Sequence, residues 1–541
     1  RLRVAGLAHS WPVRRASWED RSLGICRLEL DVPEEASFHE VAPFDLRRLE
    51  LIGEGNQQQT LSNALENAIL GRFVSGAVHR GLLGLSGEPI PHRHQGRDAV
   101  ANLLADDSEP VVAVWGPPGT GKTTLLVNWL LSLFPPGEET RWPRVLIAAP
   151  THVAVDKLLL DLLAQGEHLW PSVVRYGSAD RVAGTPLEPV WHQRLLEGLA
   201  SPAAAMSEAD APLARRWATL MASRDGRESA ARWLLHARNI HAATCVGMAR
   251  SDFGLLRESF DLAIVDEAGK AFGAELMLPA SVTRRLILVG DHHQLPPTVT
   301  TETLDEAIGY RLPLAEVREL LQRNAFHDIY EQLPASAKGM LTLQYRMHAD
   351  IGDAVSELFY DGQVRAARTG GSWRLTRKRL MFADFSRVQG YRHRKGADSD
   401  SIDNPTERAA LHAVLGRLSE RVGETPLQLL IICPYQAQRE ALAQELAGKA
   451  FPFSVSLSTV DAVQGGEADL VILLMTRSRG RTEFLLDRHR LNVALSRSRE
   501  AVVIFGHRAC LTRGDAGPVA RLIELPEQAN FRRSLAPAVV P

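Results

Sequence analysis

The chain has 541 residues, too many for one ordinary hydrophobic core, which stops growing near ~250–300 residues, so two to four domains are expected. Hydrophobic residues at 45% and charged residues at 23% exclude an intrinsically disordered chain, and a net charge of −2 excludes a global basic field, so any nucleic-acid contact must be a local groove. Four cysteines (Cys26, Cys245, Cys433 and Cys510) show neither CxxC nor Cys/His spacing, so they point to buried thiols in a reducing compartment rather than a disulfide framework or a zinc site.

The chain opens on Arg1, which leaves room upstream for a targeting segment or another domain. Within residues 1–90, LGICRLELDV (23–32) reads as a strand and 56–73 as a helix, but no spacing there carries chemistry, so this stretch is taken as an accessory region. The pattern sharpens at VVAVW (111–115), a short apolar run followed by GPPGTGKTT and the amphipathic TLLVNWLLSLF, which is strand, loop and helix. RVLIAAPT (144–151), DLAIVDEA (261–268) and RLILVGDHHQLPP (285–297) repeat the strand-then-polar-turn pattern. Continuous apolar strands alternating with helices predict a parallel sheet covered on both faces, here a first lobe at 91–333. The Ala/Leu/Arg-rich stretch between its strands predicts a helical insertion at about 185–240. LQLLIICPY (427–435), ADLVILLMT (468–476) and EAVVIFGH (500–507) predict a second α/β lobe at 334–510, with LMFADF (380–385) as a strand between surface loops. The tail, 511–541, is expected to fray. No apolar run approaches the ~18 residues of a membrane span.

GPPGTGKT (116–123) fits GxxxxGK[ST] directly after a strand and at the start of a helix, the context that separates a phosphate loop from a surface turn. In it Gly116, Pro117, Pro118, Gly119, Thr120 and Gly121 would turn backbone N–H groups toward phosphate, Lys122 would reach the β/γ phosphates, and Thr123, followed by Thr124, would offer a hydroxyl to Mg²⁺. Asp266 and Glu267 end a strand of the same predicted sheet; alone such a pair is ordinary surface, but beside a phosphate loop Asp266 is the expected Mg²⁺ anchor and Glu267 the residue that activates water. Phosphoryl transfer also needs positive charge at the γ-phosphate, and the second lobe offers Arg346 and Arg497, either of which taken singly reads equally as a salt-bridge partner.

In order, GPPGTGKT, APTHVAVD, DEAG, GDHHQLPP, QYRMH, PYQAQ, VDAVQGGE and LNVALSRSR form a series that resembles the superfamily 1B helicases, in particular the branch of the up-frameshift helicase of nonsense-mediated decay. VVRYGSADRV (173–182), AATCVG (242–247), NPTE (404–407) and HQGRDAV (94–100) echo the same pattern. The resemblance implies two tandem RecA-like P-loop lobes, in an α/β fold, with ATP and Mg²⁺ bound between them. It implies that Gln95 recognises adenine, Gln294 senses the γ-phosphate, Tyr345 stacks on the base, Glu467 holds the ribose, and Arg346 and Arg497 act as arginine fingers, with His292 and His293 as loop residues rather than metal ligands. Thr151, Thr244 and Thr459 match nucleic-acid-contact positions, though each could equally be a strand-end threonine serving the backbone. The expected activity is ATP-driven 5′-to-3′ translocation on single-stranded DNA or RNA by a cytoplasmic or nucleoid-associated monomer, and the family's small barrel on a helical stalk would fall in 1–90. Two alternatives stay open: a translocase or remodeller serving an upstream nuclease, and a nucleotide-gated nucleic-acid-binding module. Ala349, Ser496, Ser498 and Gly269 depart from the usual family residues without removing a phosphate ligand.

Overall fold

A computed structural model describes the strands within the first 51 residues, a few positions between 75 and 82, and residues 94–524 apart from 201–215, 217–218, 222, 251–252, 299–322, 372, 374, 376–377, 396–400, 424–425, 464–465, 481 and 514–516. Lobe one is an eight-stranded sheet in the order His94–Gln95, Lys338–Met340, Val111–Trp115, Thr283–Gly290, Phe260–Val265, Val145–Ala149, Ile240–Thr244, Val173–Arg175, with every pairing parallel. Its residues alternate between two apolar layers: Val111, Ala113 and Trp115 enter one, and Val112 and Val114 the other, as a strand covered on both faces requires. Because all strands run the same way, the loops after residues 115, 265 and 290 emerge side by side from one edge of the sheet.

Lobe two is a five-stranded parallel sheet, Leu380–Asp384, Ser498–Gly506, Ala468–Leu474, Gln428–Ile432, Ser454–Ser458. A parallel pair, Leu343–His348 with Arg365–Arg368, and the helix Ala349–Phe359 lie between the lobes in sequence. Asn404 explains the NPTE echo. Its side chain caps the helix Pro405–Arg421 by accepting from Glu407 N, while its Nδ2 donates to Thr476 O (2.9 Å) and its backbone N–H to Gln438 Oε1 (2.8 Å), which draws NPTE and PYQAQ into one buried network.

Two boundaries differ from the sequence reading, the crossing between the lobes and the start of the tail. Lys338–Met340 belongs to the first sheet, so the chain crosses to lobe two after Met340 rather than at 334. KGM has no apolar run to reveal it, and Lys338 is tolerated there because its buried ammonium donates to Tyr330 O and Glu331 O (both 2.7 Å) at the C-terminal end of the helix Ala325–Gln332. The helical insertion is helical where described, with His192–Ala200 and Arg224–Ala237, but the stretch before it holds the edge strand Val173–Arg175. Past residue 511, where fraying is expected, Gly517–Glu524 forms a helix that buries Leu522 and Ile523. In the amino-terminal region the strand expected at 23–32 is Ile25–Leu30, antiparallel to Val13–Asp20, and Leu2–Val4, Ser10–Trp11 and Leu49–Leu51 form a second small sheet. The helix expected at 56–73 lies outside the described residues. No described helix is long and apolar enough to cross a membrane.

Candidate nucleotide site between the lobes

The buried strand Val111–Trp115 delivers the loop 116–121 to the helix Lys122–Ser132. Gly119 (φ 73°) and Gly121 (φ 77°) take left-handed conformations, and at Gly119 a Cβ would lie 2.6 Å from Arg346 Cβ, so the loop needs glycine twice over. Thr120 ties the loop by donating to Pro117 O (2.7 Å), and Lys122 Nζ donates to Gly116 O (2.5 Å) across its mouth. Gly116, Pro117 and Pro118 are buried, whereas Thr123 and Thr124 lie on the first helical turn, half-buried and exposed respectively. Gly119 O accepts Tyr345 N–H (2.8 Å), which brings the QYRMH strand against the phosphate loop and holds Tyr345 there with its side chain exposed. Gln95, also exposed, sits at the sheet edge paired with Met340, and Arg97 two residues on reaches toward Gly121.

Asp266 and Glu267 follow the strand Phe260–Val265, two strands from the phosphate loop. Burial, and then the adjacent Glu267 charge, push the Asp266 carboxyl up to about 6. Burial also opposes ionisation of Glu267, but the cations of Lys270, Lys122 and Arg497 outweigh it and hold this carboxyl below its usual value. The two environments are thus pushed apart, the pattern that separates a base from its neighbour. Glu267 stands at φ 55°, a left-handed conformation rare for a residue with a side chain and found where function holds it.

The strand between, Thr283–Gly290, ends at Asp291, which is 2% exposed and collects four donors: Trp115 Nε1 (3.0 Å), His293 N (3.1 Å), Gln294 Nε2 (2.8 Å) and Tyr360 Oη (2.7 Å). Gln294 is thereby oriented, and its Oε1 accepts from Arg497 Nη2 of lobe two (3.1 Å). Arg497 is buried, and its pKa is lowered to about 10, first by burial and then by Arg346, so it stays charged at neutral pH. Arg346 donates to Glu467 Oε2 (2.7 Å) and to Ser496 O (3.1 Å), and Glu467 also pairs with Arg499 (3.0 Å). Glu467 and Arg497 stand just before the neighbouring strands Ala468–Leu474 and Ser498–Gly506, with Ala468 N donating to Arg497 O (3.0 Å), so lobe two meets the loop edge of lobe one with the starts of its strands.

The structure therefore brings together Lys122, Asp266, Glu267, Gln294, Arg346, Arg497, Tyr345 and Glu467 around the phosphate loop, with Gln95 on its flank. The three threonines are elsewhere and all serve the backbone: Thr151 accepts from Ala154 N (3.4 Å), Thr244 from Gly247 N (3.0 Å) and Thr459 from Ala462 N (3.2 Å). Thr244 is also 6% exposed and so does not present a surface.

Sequence reasoning missed Asp291, Tyr360 and Asn492. Asn492 Nδ2 donates to Tyr360 Oη and to His293 O (both 2.7 Å), completing a buried polar chain across the lobes. GDHHQ was a signal for Asp291, but nothing in the spacing links it to partners 176 and 69 residues away. Missed as well is Arg175, fully buried, which holds Asp156 (2.6 Å) and His152 (3.0 Å) and so explains why VVRYG accompanies THVAVD.

An AAA domain family matches residues 93–211 and 214–302, and a second AAA domain family matches 321–509. The chain is 29% identical over 429 residues to a Regulator of nonsense transcripts 1 homolog of Drosophila melanogaster, covering 75% of this chain and 34% of that one. It is 30% identical over 446 residues to DNA-binding protein SMUBP-2 of Mus musculus (75% and 42% covered) and 28% over 439 residues to the ATP-dependent helicase upf1 of Schizosaccharomyces pombe (75% and 44%). It spans less than half the length of each of these relatives. These matches cover both lobes, and the chain carries a helicase core of the up-frameshift-like branch of superfamily 1B.

Proposed function

We propose that the chain hydrolyses ATP between its lobes and uses the cycle to move 5′ to 3′ along single-stranded nucleic acid, separating duplexes. The observation that carries this reading is the Arg497–Gln294 contact, which delivers a buried second-lobe cation to the turn beside Glu267, where charge on a transferring phosphoryl group would develop. A site split between lobes couples chemistry to their relative motion. Glu267 is the general base, Lys122 and the two arginines bind phosphate, Gln95 and Tyr345 hold the base, and Glu467 reaches the ribose by releasing Arg346.

The donor set suits Mg²⁺: Asp266 is a buried carboxylate beside a second carboxylate, with its own ionisation disfavoured, and a hard dication would relieve that repulsion. Asp266 and Thr123 would hold it, and the metal would neutralise charge on the phosphates. Single-stranded DNA or RNA is the track, in keeping with one relative named as DNA-binding and another as an ATP-dependent helicase. The buried free thiols Cys245, Cys433 and Cys510 fit a cytoplasmic setting.

Steady-state ATP hydrolysis measured without polymer, with single-stranded DNA and with single-stranded RNA tests the motor, and unwinding of duplexes with a 5′ or a 3′ tail tests its direction. Stimulation by one polymer and unwinding only from the 5′ tail are expected. Hydrolysis that neither polymer stimulates would remove the motor assignment.

A further inference from the structure

The turn that holds Asp291 and Gln294 also carries His292, whose side chain takes no part in their hydrogen bonds. His292 is 6% exposed, with its ring 4.4 Å from Trp115 and 4.5 Å from His327. His327 belongs to the helix Ala325–Gln332, and Glu331 follows one turn later on the same face. One ligating atom from each of His292, His327 and Glu331 lies within 4.8 Å of the others. The Nδ1 atoms of both histidines are buried and have no hydrogen-bond partner among the described residues. A buried polar nitrogen without a partner costs about 1–3 kcal/mol, and two of them on histidines of one such cluster call for a shared occupant.

We propose that His292, His327 and Glu331 bind a transition-metal dication of the zinc class. Two imidazoles and one carboxylate are a donor set that such ions favour over Mg²⁺ or Ca²⁺, which take oxygen ligands. Neutral imidazole is the form that donates a lone pair to such an ion. Zinc–nitrogen distances of about 2.0–2.1 Å put tetrahedral donors roughly 3.4 Å apart, a contraction that side-chain rotation on the helix can supply. The ion would pin the turn bearing Asp291 and Gln294 to the helix Ala325–Gln332. This departs from the sequence expectation that His292 is merely a loop residue, and it does not depend on the nucleotide reading.

The test uses the full chain, stripped with a chelator and titrated with Zn²⁺ against a chromophoric competitor, with Co²⁺ as a spectroscopic substitute. Wild type is expected to bind one equivalent, to show Co²⁺ ligand-field bands, and to melt at a higher temperature with Zn²⁺ than without. His327→Ala and Glu331→Gln should each weaken binding at least tenfold and lose the bands, while melting like wild type in chelator. Should His327→Ala fold poorly, Glu331→Gln, which changes a charge and little else, carries the comparison. Wild type taking up no Zn²⁺ would overturn the proposal, and so would both variants binding it as wild type does, since the ion would then sit among others of the 18 histidines.

Discussion

Glu267 combines two liabilities, a left-handed backbone and a buried charge beside Asp266, and both have the same purpose of holding one carboxylate at the end of a strand. Glu267→Gln keeps the shape and removes the base, so kcat should fall by roughly 10²–10⁴-fold while ATP still binds, as calorimetry would show. A modest loss of rate would mean that another group activates the water. Glu267→Gly is expected to be inactive and, in urea unfolding, more stable by about 1 kcal/mol than Glu267→Ala, because both lose the carboxylate and only glycine releases the φ strain. Lys122, Asp266 and Glu267 were legible in the sequence because a phosphate loop and a strand-end acidic pair have fixed local spacing. Asp291 was not, since its role comes from donors that only the fold assembles.

At the scale of elements, the turns after Phe260–Val265 and Thr283–Gly290 pack backbone on backbone: a Cβ at Gly269 would lie 2.6 Å from Asp291 O, and one at Gly290 2.6 Å from Gly269 N. Gly269, which the sequence shows only as a departure from the usual serine, therefore fits this particular approach. Gly269→Ala should cost about 1–3 kcal/mol and lower kcat through the displaced Gln294, measured by unfolding and steady-state hydrolysis together. In lobe two, the buried Glu407 accepts from Tyr391 Oη (2.9 Å), Thr476 N (3.0 Å) and Gln438 Nε2 (3.0 Å), yet burial raises its pKa from 4.5 to about 7. The folded state thus keeps a proton that the unfolded chain releases near 4.5, and this stabilisation is fully present below that pH and lost as pH rises through about 7. Urea midpoints at about pH 5 and about pH 8 should show wild type weakening and Glu407→Gln weakening less. Glu275, also raised to about 7 by burial, leaves the variant part of the slope. Equal slopes would show that Glu407 ionises normally.

For the whole molecule, two series of apolar strands made both lobes legible, but not the point where the chain crosses between them. Three-residue strands such as Lys338–Met340 carry too little pattern, and this one is held by the buried lysine and by its neighbours in the sheet. The inter-lobe contacts escaped the sequence for a related reason: Arg497 and Gln294 are 203 residues apart and meet only when the lobes do. If they act as one unit in hydrolysis, their substitutions should not add. Arg497→Lys removes the planar fork that spans Gln294 and the backbone carbonyl of Val493, and it should lower kcat/KM by roughly 10³-fold with little change in nucleotide affinity. Gln294→Ala leaves the arginine without its guide and should cost less alone. The double variant should be scarcely worse than Arg497→Lys, giving a coupling of about 0.5–3 kcal/mol in a double-mutant cycle. Additive losses would mean that each residue touches the nucleotide independently, and the lobes would then need a different link between closure and chemistry, for which the Asp291–Tyr360–Asn492 chain is the candidate the same cycle can examine next.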